Sequence, residues 1–403
     1  VTVRPSYAAA FQCIGPACED DCCHGWDIPL DRKTYDRYQL FPADRLGWAV
    51  EGFVKTTPGS VAESTYAHIH TLESGNCPFF DEERLCGIQK TYGAELLSAS
   101  CSSYPRTLNR VDGILEGALS LSCPEAARNV LLDEGFLDRA GMLESGGFRT
   151  DNFFRLGSGT GKPVGEFHAV RGALSELVRD RTRPMWLRVL RMGALCALLE
   201  AGAPVGDVVA AAEGKVWDGE LNGLAANLKV RLDVVMRLSD ERVRDRTSGR
   251  RFQEVYWKFV EGVGVGSDDG AKDDVGRFVE AERGVYRSYM LRHPYVMENF
   301  LLNYIYQRLF PFGRAGGVHL RERGMFEEFV LMGTQFAWVE TLLIGAAARD
   351  GAGFGGAQVV EVVQSFCRAV EHYPEVLEGV LDVMRGRGLD SLAGLAVMLR
   401  GAE

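Results

Sequence analysis

From Glu166 onward, apolar residues recur every three to four positions with few breaks, the period of helices that each bury one face. The pattern predicts helices over 166–181, 184–202, 205–243, 250–261, 271–284, 286–310, 322–348, 356–372, 374–386 and 389–400, the longer ones open to splitting. Short loops separate them, so this half reads as an all-helical domain.

The first part of the chain keeps no such period. Trp26–Leu30 predicts a short strand, confined to a sheet edge by Pro29, which has no N–H to give a second neighbour. Asp31 reads as the N-cap of a helix running to Tyr38, and 44–54 as another short helix. Tyr66–Leu72 alternates as a strand does, which sets His68 and His70 on one face, a polar strand face or a pair of metal donors. Cys77 and Cys86 flank a hairpin tip at 81–84, a helix from Ile88 to Ala99 leads to Cys101, and Pro124 opens a helix behind Ser122 and Cys123.

Two Gly-rich stretches invite a nucleotide reading and fail it. Gly157 to Lys162 is one residue short of a phosphate loop, and Pro163 stands where a Ser or Thr should hold magnesium. Gly262–Gly270 follows a helix rather than a strand, so it reads as an interhelix loop.

Composition adds limits. At 403 residues, two or three domains are expected, and 46% apolar with 25% charged residues is an ordinary globular balance. Met185–Glu200 reads as the most apolar window, and Arg188 and Arg191 interrupt it, so no membrane-spanning helix is expected. Val1–Tyr7 lacks a basic stretch followed by an apolar run, so a cytoplasmic protein is expected. A net charge of −10 argues against a nucleic-acid partner and suits a cationic substrate.

Cysteine usage changes the picture most. Of ten cysteines, eight precede residue 124: Cys13, Cys18, Cys22, Cys23, Cys77, Cys86, Cys101 and Cys123. In a reducing compartment such clustering points to metal rather than disulfides, and a thiolate set selects zinc or an iron–sulfur cluster. Spacing does not choose between those two. Cys18-x3-Cys22 begins the spacing of a radical S-adenosylmethionine site, but Gly25 occupies the third position. Cys123, before a helix N-terminus, is expected to have a lowered pKa. The fold class expected is therefore mainly α: a cysteine-rich metal-binding domain with a few short strands over 1–144, a Gly-rich joint at 145–165, and the helical domain over 166–403.

In the helical half, Glu298 and Asn299 interrupt the apolar run of 293–312, and Asn299 and Asn303 share a face. Buried polar groups need partners, either within the protein or on a ligand.

Taken together, Cys13-x4-Cys18-x3-Cys22-Cys23-x-Gly25-Trp26, Gly75-Asn-Cys77-Pro-Phe, Leu85-Cys86-x-Ile-Gln, Cys101-x2-Tyr-Pro-Arg106, Ser120-Leu-Ser-Cys123-Pro-Glu-Ala-Ala-Arg128 and Glu298-Asn-Phe-Leu-Leu-Asn303-Tyr304 resemble the flagellin lysine-N-methylase family. The N-terminal part is also similar to the broader CxxCxxxCC zinc/iron-chelating group, with four residues between Cys13 and Cys18 where that group has two. The resemblance continues around Glu371-His372. It implies transfer of methyl groups from S-adenosylmethionine to lysines of flagellin or a similar protein, by a chain carrying a cysteine-bound iron–sulfur cluster, expected as 4Fe–4S, with the eight N-terminal cysteines as its candidate ligands. No nucleotide fingerprint locates the methyl donor, and Trp26, Asn299 and Asn303 stand as the cofactor-binding candidates.

Lysine methylation needs a neutral amine, and deprotonating a lysine near neutral pH costs about 4 kcal/mol. An apolar pocket lowers that cost, while Glu19, Asp20, Asp21 and Asp27 can steer the cation in. Tyr104, Glu298 and Tyr304 are the candidates to take the proton. Two other readings stand beside this one: a zinc-stabilised protein-binding module without catalysis, and an iron–sulfur redox sensor.

Overall fold

The computed structural model describes residues 7–59, 63–138, 149–150, 153–159, 161–214, 217–264, 274–315 and 321–401. It divides into two units, 1–126 with 137–153, and 127–136 with 154–403. Of the two Gly-rich stretches read above, residues 145–148, 151–152, 160 and 265–270 lie outside the described residues. Over the described residues taken together the secondary structure is mainly helical, with a few short strands that fall mostly in the first unit.

In the first unit, β1 (Ile28–Leu30), β2 (Val54–Thr56) and β3 (Ala67–Ile69) form an antiparallel sheet in the order β1–β3–β2. Pro29 does sit on an edge strand, opposite His68. The two-residue period sends Ile28, Leu30, Ala67 and Ile69 inward, where they meet Tyr38, Val50, Phe79 and Ile88 in a small core. Asp31 caps the helix Arg32–Tyr38 by accepting from the Thr34 amide at 2.9 Å.

Two features of this unit depart from the sequence reading. The helix expected over 88–99 stops at Tyr92, because Gly93 takes φ +90°, and Cys101 lies inside a separate helix, Ala99–Ser103. A hairpin of β4 (Arg106–Val111) and β5 (Ile114–Leu119) was not anticipated. Its signal was present: Asp112-Gly113, with φ +49° and +76°, is the two-residue turn that suits a twisted hairpin.

The second unit is built around the helix Met325–Asp350. Its most apolar stretch is long and apolar enough to cross a membrane by composition, but nearly all of it is buried inside the unit. It exceeds Met185–Glu200 in that respect, which corrects the choice made from sequence. The helix Arg250–Val263 crosses it closely, since a Cβ on Gly345 would overlap the Phe259 ring and one on Gly262 would overlap the Gly345 carbonyl.

Around this axis stand the helices Met185–Glu200, Gly356–Val370, Pro374–Gly386 and Leu392–Leu399, and Phe167–Arg179 packs on Met185–Glu200. The stretch expected as one helix over 205–243 is three, Val205–Glu213, Asp218–Asn222 and Leu228–Arg244. That expected over 286–310 breaks at His293-Pro294, where proline cannot donate to the helical ladder, giving Arg287–Arg292 and Tyr295–Arg308. Two short strands, β6 (Phe154–Leu156) and β7 (Arg314–Ala315), pair antiparallel.

Candidate functional site

All eight N-terminal cysteines lie in the first unit, while Cys196 and Cys367 are buried among the helices of the second. Residues 23–25 run antiparallel beside 75–77: the Cys77 amide donates to the Cys23 carbonyl at 2.6 Å, and Gly25 to Gly75 at 2.9 Å. The Phe80–Cys86 bridge closes the expected hairpin and brings Cys86 to the start of the helix Gly87–Tyr92. Ser98 fixes the helix that carries Cys101 by accepting from the Cys101 amide at 3.0 Å. Cys23, Cys77, Cys86 and Cys101 all pack on the core of this unit.

The point of convergence is Cys22. Its charge would bear on Cys18, Cys23, Cys77, Cys86, Cys101 and Cys123 alike. Burial pushes the Cys18 and Cys77 thiols up to about 11, with Cys22 adding to it. Cys23 is raised further by its hydrogen bond with Cys22 and then by burial. Burial also pushes the Cys123 thiol up to about 12, against the Ala126 and Glu125 amides that pull it down. The lowered pKa expected for Cys123 from its place at a helix start is thus corrected, because desolvation outweighs the helix end.

These thiols share one neighbourhood, and their crowding opposes ionisation until a cation balances the thiolates. The donor set fits a soft metal or iron–sulfur cluster in kind. Among the described residues, however, no group of three or more His, Cys, Asp or Glu stands in metal-holding geometry. His68 and His70 are engaged otherwise, with Thr57 Oγ1 at 3.0 Å and Asp27 at 2.7 Å.

Trp26 and Tyr104 serve the same unit. The Trp26 indole donates to the Cys22 carbonyl at 2.9 Å, pinning the cysteine loop from outside. Tyr104 shares a 3.1 Å hydrogen bond with Ser122, next to Cys123. Arg106 donates to the carbonyls of Ala8 and Phe11, at 3.2 and 2.8 Å, and so anchors the segment leading into Cys13.

The other four candidates, Glu298, Asn299, Asn303 and Tyr304, sit on the helix Tyr295–Arg308 of the second unit and are all buried. Glu298 accepts from Arg188 Nη1 at 2.9 Å and from Arg181 Nε and Nη2 at 3.0 and 2.9 Å, so both its oxygens are held by guanidinium groups. Asn299 donates to the Val130 and Asp133 carbonyls, both at 2.8 Å, and thereby ties down the end of the helix Pro124–Leu131. Burial raises the Tyr304 hydroxyl well above its ordinary value, and the charge of Glu328 adds to this, so it keeps its proton at neutral pH; its oxygen accepts from Gln335 Nε2 at 3.4 Å.

Sequence reasoning missed a cavity of about 650 Å³ in the second unit, lined by the start of the helix Met185–Glu200, by residues between Glu282 and Met297, and by Glu340. Glu340 accepts from Arg231 at 2.9 Å and from the Tyr286 hydroxyl at 3.1 Å. Burial raises its carboxyl above the ordinary value, more than Arg231 lowers it. The available signal was a lone acid inside the longest apolar run of the chain.

Comparison with known proteins gives a consistent picture. Residues 171–398 match the family of the FliB lysine N-methylase C-terminal domain. The lysine-N-methylase of Salmonella typhimurium is 36% identical over 131 residues, which cover 32% of this chain and 32% of that protein, and the Salmonella choleraesuis protein of the same name gives the same figures. The flagellar biosynthetic protein FliU of Salmonella muenchen is 36% identical over 131 residues, 76% of its length. The match thus spans about a third of the length of the two lysine-N-methylases. No solved structure matches the chain.

Proposed function

The chain belongs to the family of the FliB lysine N-methylase C-terminal domain, and from that membership we propose that it transfers methyl groups from S-adenosylmethionine to lysine side chains of a flagellin-like protein. The match over 171–398, beside relatives named lysine-N-methylase and a flagellar biosynthetic protein, carries the reading. In this proposal the cysteines around Cys22 hold an iron–sulfur cluster, which would supply one-electron chemistry and cross-link the first unit. Trp26 would hold the ligand loop in place through the Cys22 carbonyl. Glu298 and Asn299 would position the helix that bears them through the Arg181, Arg188, Val130 and Asp133 contacts, leaving proton acceptance to other groups.

A second reading keeps the same donors: an all-thiolate set also suits zinc, and the first unit would then be a structural module of a binding protein. Anaerobic purification with iron, zinc and acid-labile sulfide analysis separates the two. Iron with matching sulfide, together with label transfer from methyl-labelled S-adenosylmethionine to flagellin lysine, supports the methylase. Zinc without sulfide and no transfer leaves the binding module.

A further inference from the structure

A group of cations gathers near the end of the helix Tyr295–Arg308, and the proposed function does not use it. Tyr304, Arg308, Arg314, Arg321, Arg323 and Glu328 line a cavity of about 30 Å³, room for one or two water-sized groups. Three of the four guanidinium groups are answered by carboxylates. Arg308 pairs with Glu371 at 3.2 Å, Arg321 with Glu327 and Glu378 at 2.7 and 2.9 Å, and Arg323 with Glu378 at 2.6 Å and Glu328 at 3.4 Å. Arg314 has no carboxylate in ion-pair reach among the described residues: its Nε and Nη2 donate to the Gln307 carbonyl, and its guanidinium lies over the Phe154 ring. Burial, and after it the charge of Arg308, works against the Arg314 cation, and Glu371 offsets this only in part.

Donors in this wall outnumber acceptors. Tyr304 and Arg323 are only 3% and 7% exposed. The Tyr304 oxygen accepts from Gln335, and its own proton meets no acceptor among the described residues. The buried Nε atoms of Arg308 and Arg323 have no partner either, and Arg314 Nη1 makes no hydrogen bond among the described residues. Glu328, the one carboxylate among the lining residues, is held by Arg323. Buried donors without acceptors cost free energy. Water brings protons of its own and no charge, whereas an oxyanion brings several lone pairs and the missing negative charge.

We propose that this cavity takes one small oxyanion group, set against Arg314 and accepting the Tyr304 proton in a hydrogen bond. Two sources supply such a group: the carboxylate of S-adenosylmethionine, an assignment that rests on the function proposed above, or a free ion such as a short carboxylate.

Calorimetry on the full chain in chloride-free buffer tests this with two comparisons. Formate should bind the wild type, and at least about tenfold more weakly Arg314→Gln, which keeps a donor for the Gln307 carbonyl. S-adenosylmethionine is set against its decarboxylated form. A preference of about tenfold for the carboxylate-bearing form, lost in Arg314→Gln, identifies the methyl donor as the source, and formate binding without that preference identifies a free ion. Tyr304→Phe keeps the ring in place and should weaken the same binding severalfold, which decides the matter if Arg314→Gln does not fold. No formate binding together with no preference within the pair overturns the inference, as do affinities that Arg314→Gln, or Tyr304→Phe in its place, leaves unmoved. Flagellin methylation keeps the two readings apart: a wild type that methylates but shows none of this binding removes the anion site and not the enzyme, whereas Arg314-dependent formate binding in a wild type that methylates nothing removes only the enzyme.

Discussion

Arg188 donates to Oε1 of Glu298 at 2.9 Å across 110 residues of sequence, with side chains only 8% and 4% exposed. Arg181 completes the arrangement on the other oxygen. Removing the charge of a buried carboxylate leaves buried guanidinium behind, and breaking such a pair typically costs about 3–5 kcal/mol. Glu298→Gln should therefore lower the stability of the protein by about 3 kcal/mol in urea denaturation. From sequence alone this substitution would abolish methylation without affecting the fold; unchanged stability with lost activity would restore that view.

The crossing of Met325–Asp350 and Arg250–Val263 depends on two glycines in contact. Gly345→Ala should cost about 1–3 kcal/mol by overpacking against Phe259. An urea midpoint equal to that of the wild type would show that the helices can separate at no cost.

Glu340 gives a prediction in pH. Its folded carboxyl is raised by burial, so the folded protein holds that proton more tightly than the unfolded chain does. Its contribution to stability is therefore fully present below the ordinary carboxylate value of about 4.3 and is lost as pH rises through the raised value. Relative to Glu340→Gln, the wild type should gain stability as pH falls from neutral. A difference between the two proteins that stays constant with pH would contradict the burial of this charge.

Much of the fold was legible where periodicity is local. The Asp31 cap, the edge strand with Pro29 and most helices of the second unit follow from neighbours in sequence. What escaped was long-range. Arg188 and Arg191 read as interruptions of an apolar helix, yet both are buried, one against Glu298 and the other against Asp218 and the carbonyls of Ala212 and Gly214. Charge pairing of that kind leaves no periodic trace. Conversely, the Cys123 thiol was misjudged because a local feature, the helix start, is overridden by burial that only the tertiary structure supplies.

The convergence of thiols on Cys22 makes that residue the most informative to remove. Cys22→Ala should lose most of the bound iron or zinc, measured by elemental analysis after anaerobic purification, and should leave the first unit easier to proteolyse. Cys196→Ala, far from any other cysteine in sequence and buried among helices, should retain the full metal content. Equal metal in both variants would mean that the site is not organised around Cys22.

The most direct measurement is mass spectrometry of flagellin after incubation with the metal-loaded chain and S-adenosylmethionine. The account predicts methyl-sized mass increments confined to lysine-containing peptides, present with the wild type and absent without the donor. Unmodified flagellin, from a protein whose metal content and fold are intact, would contradict it.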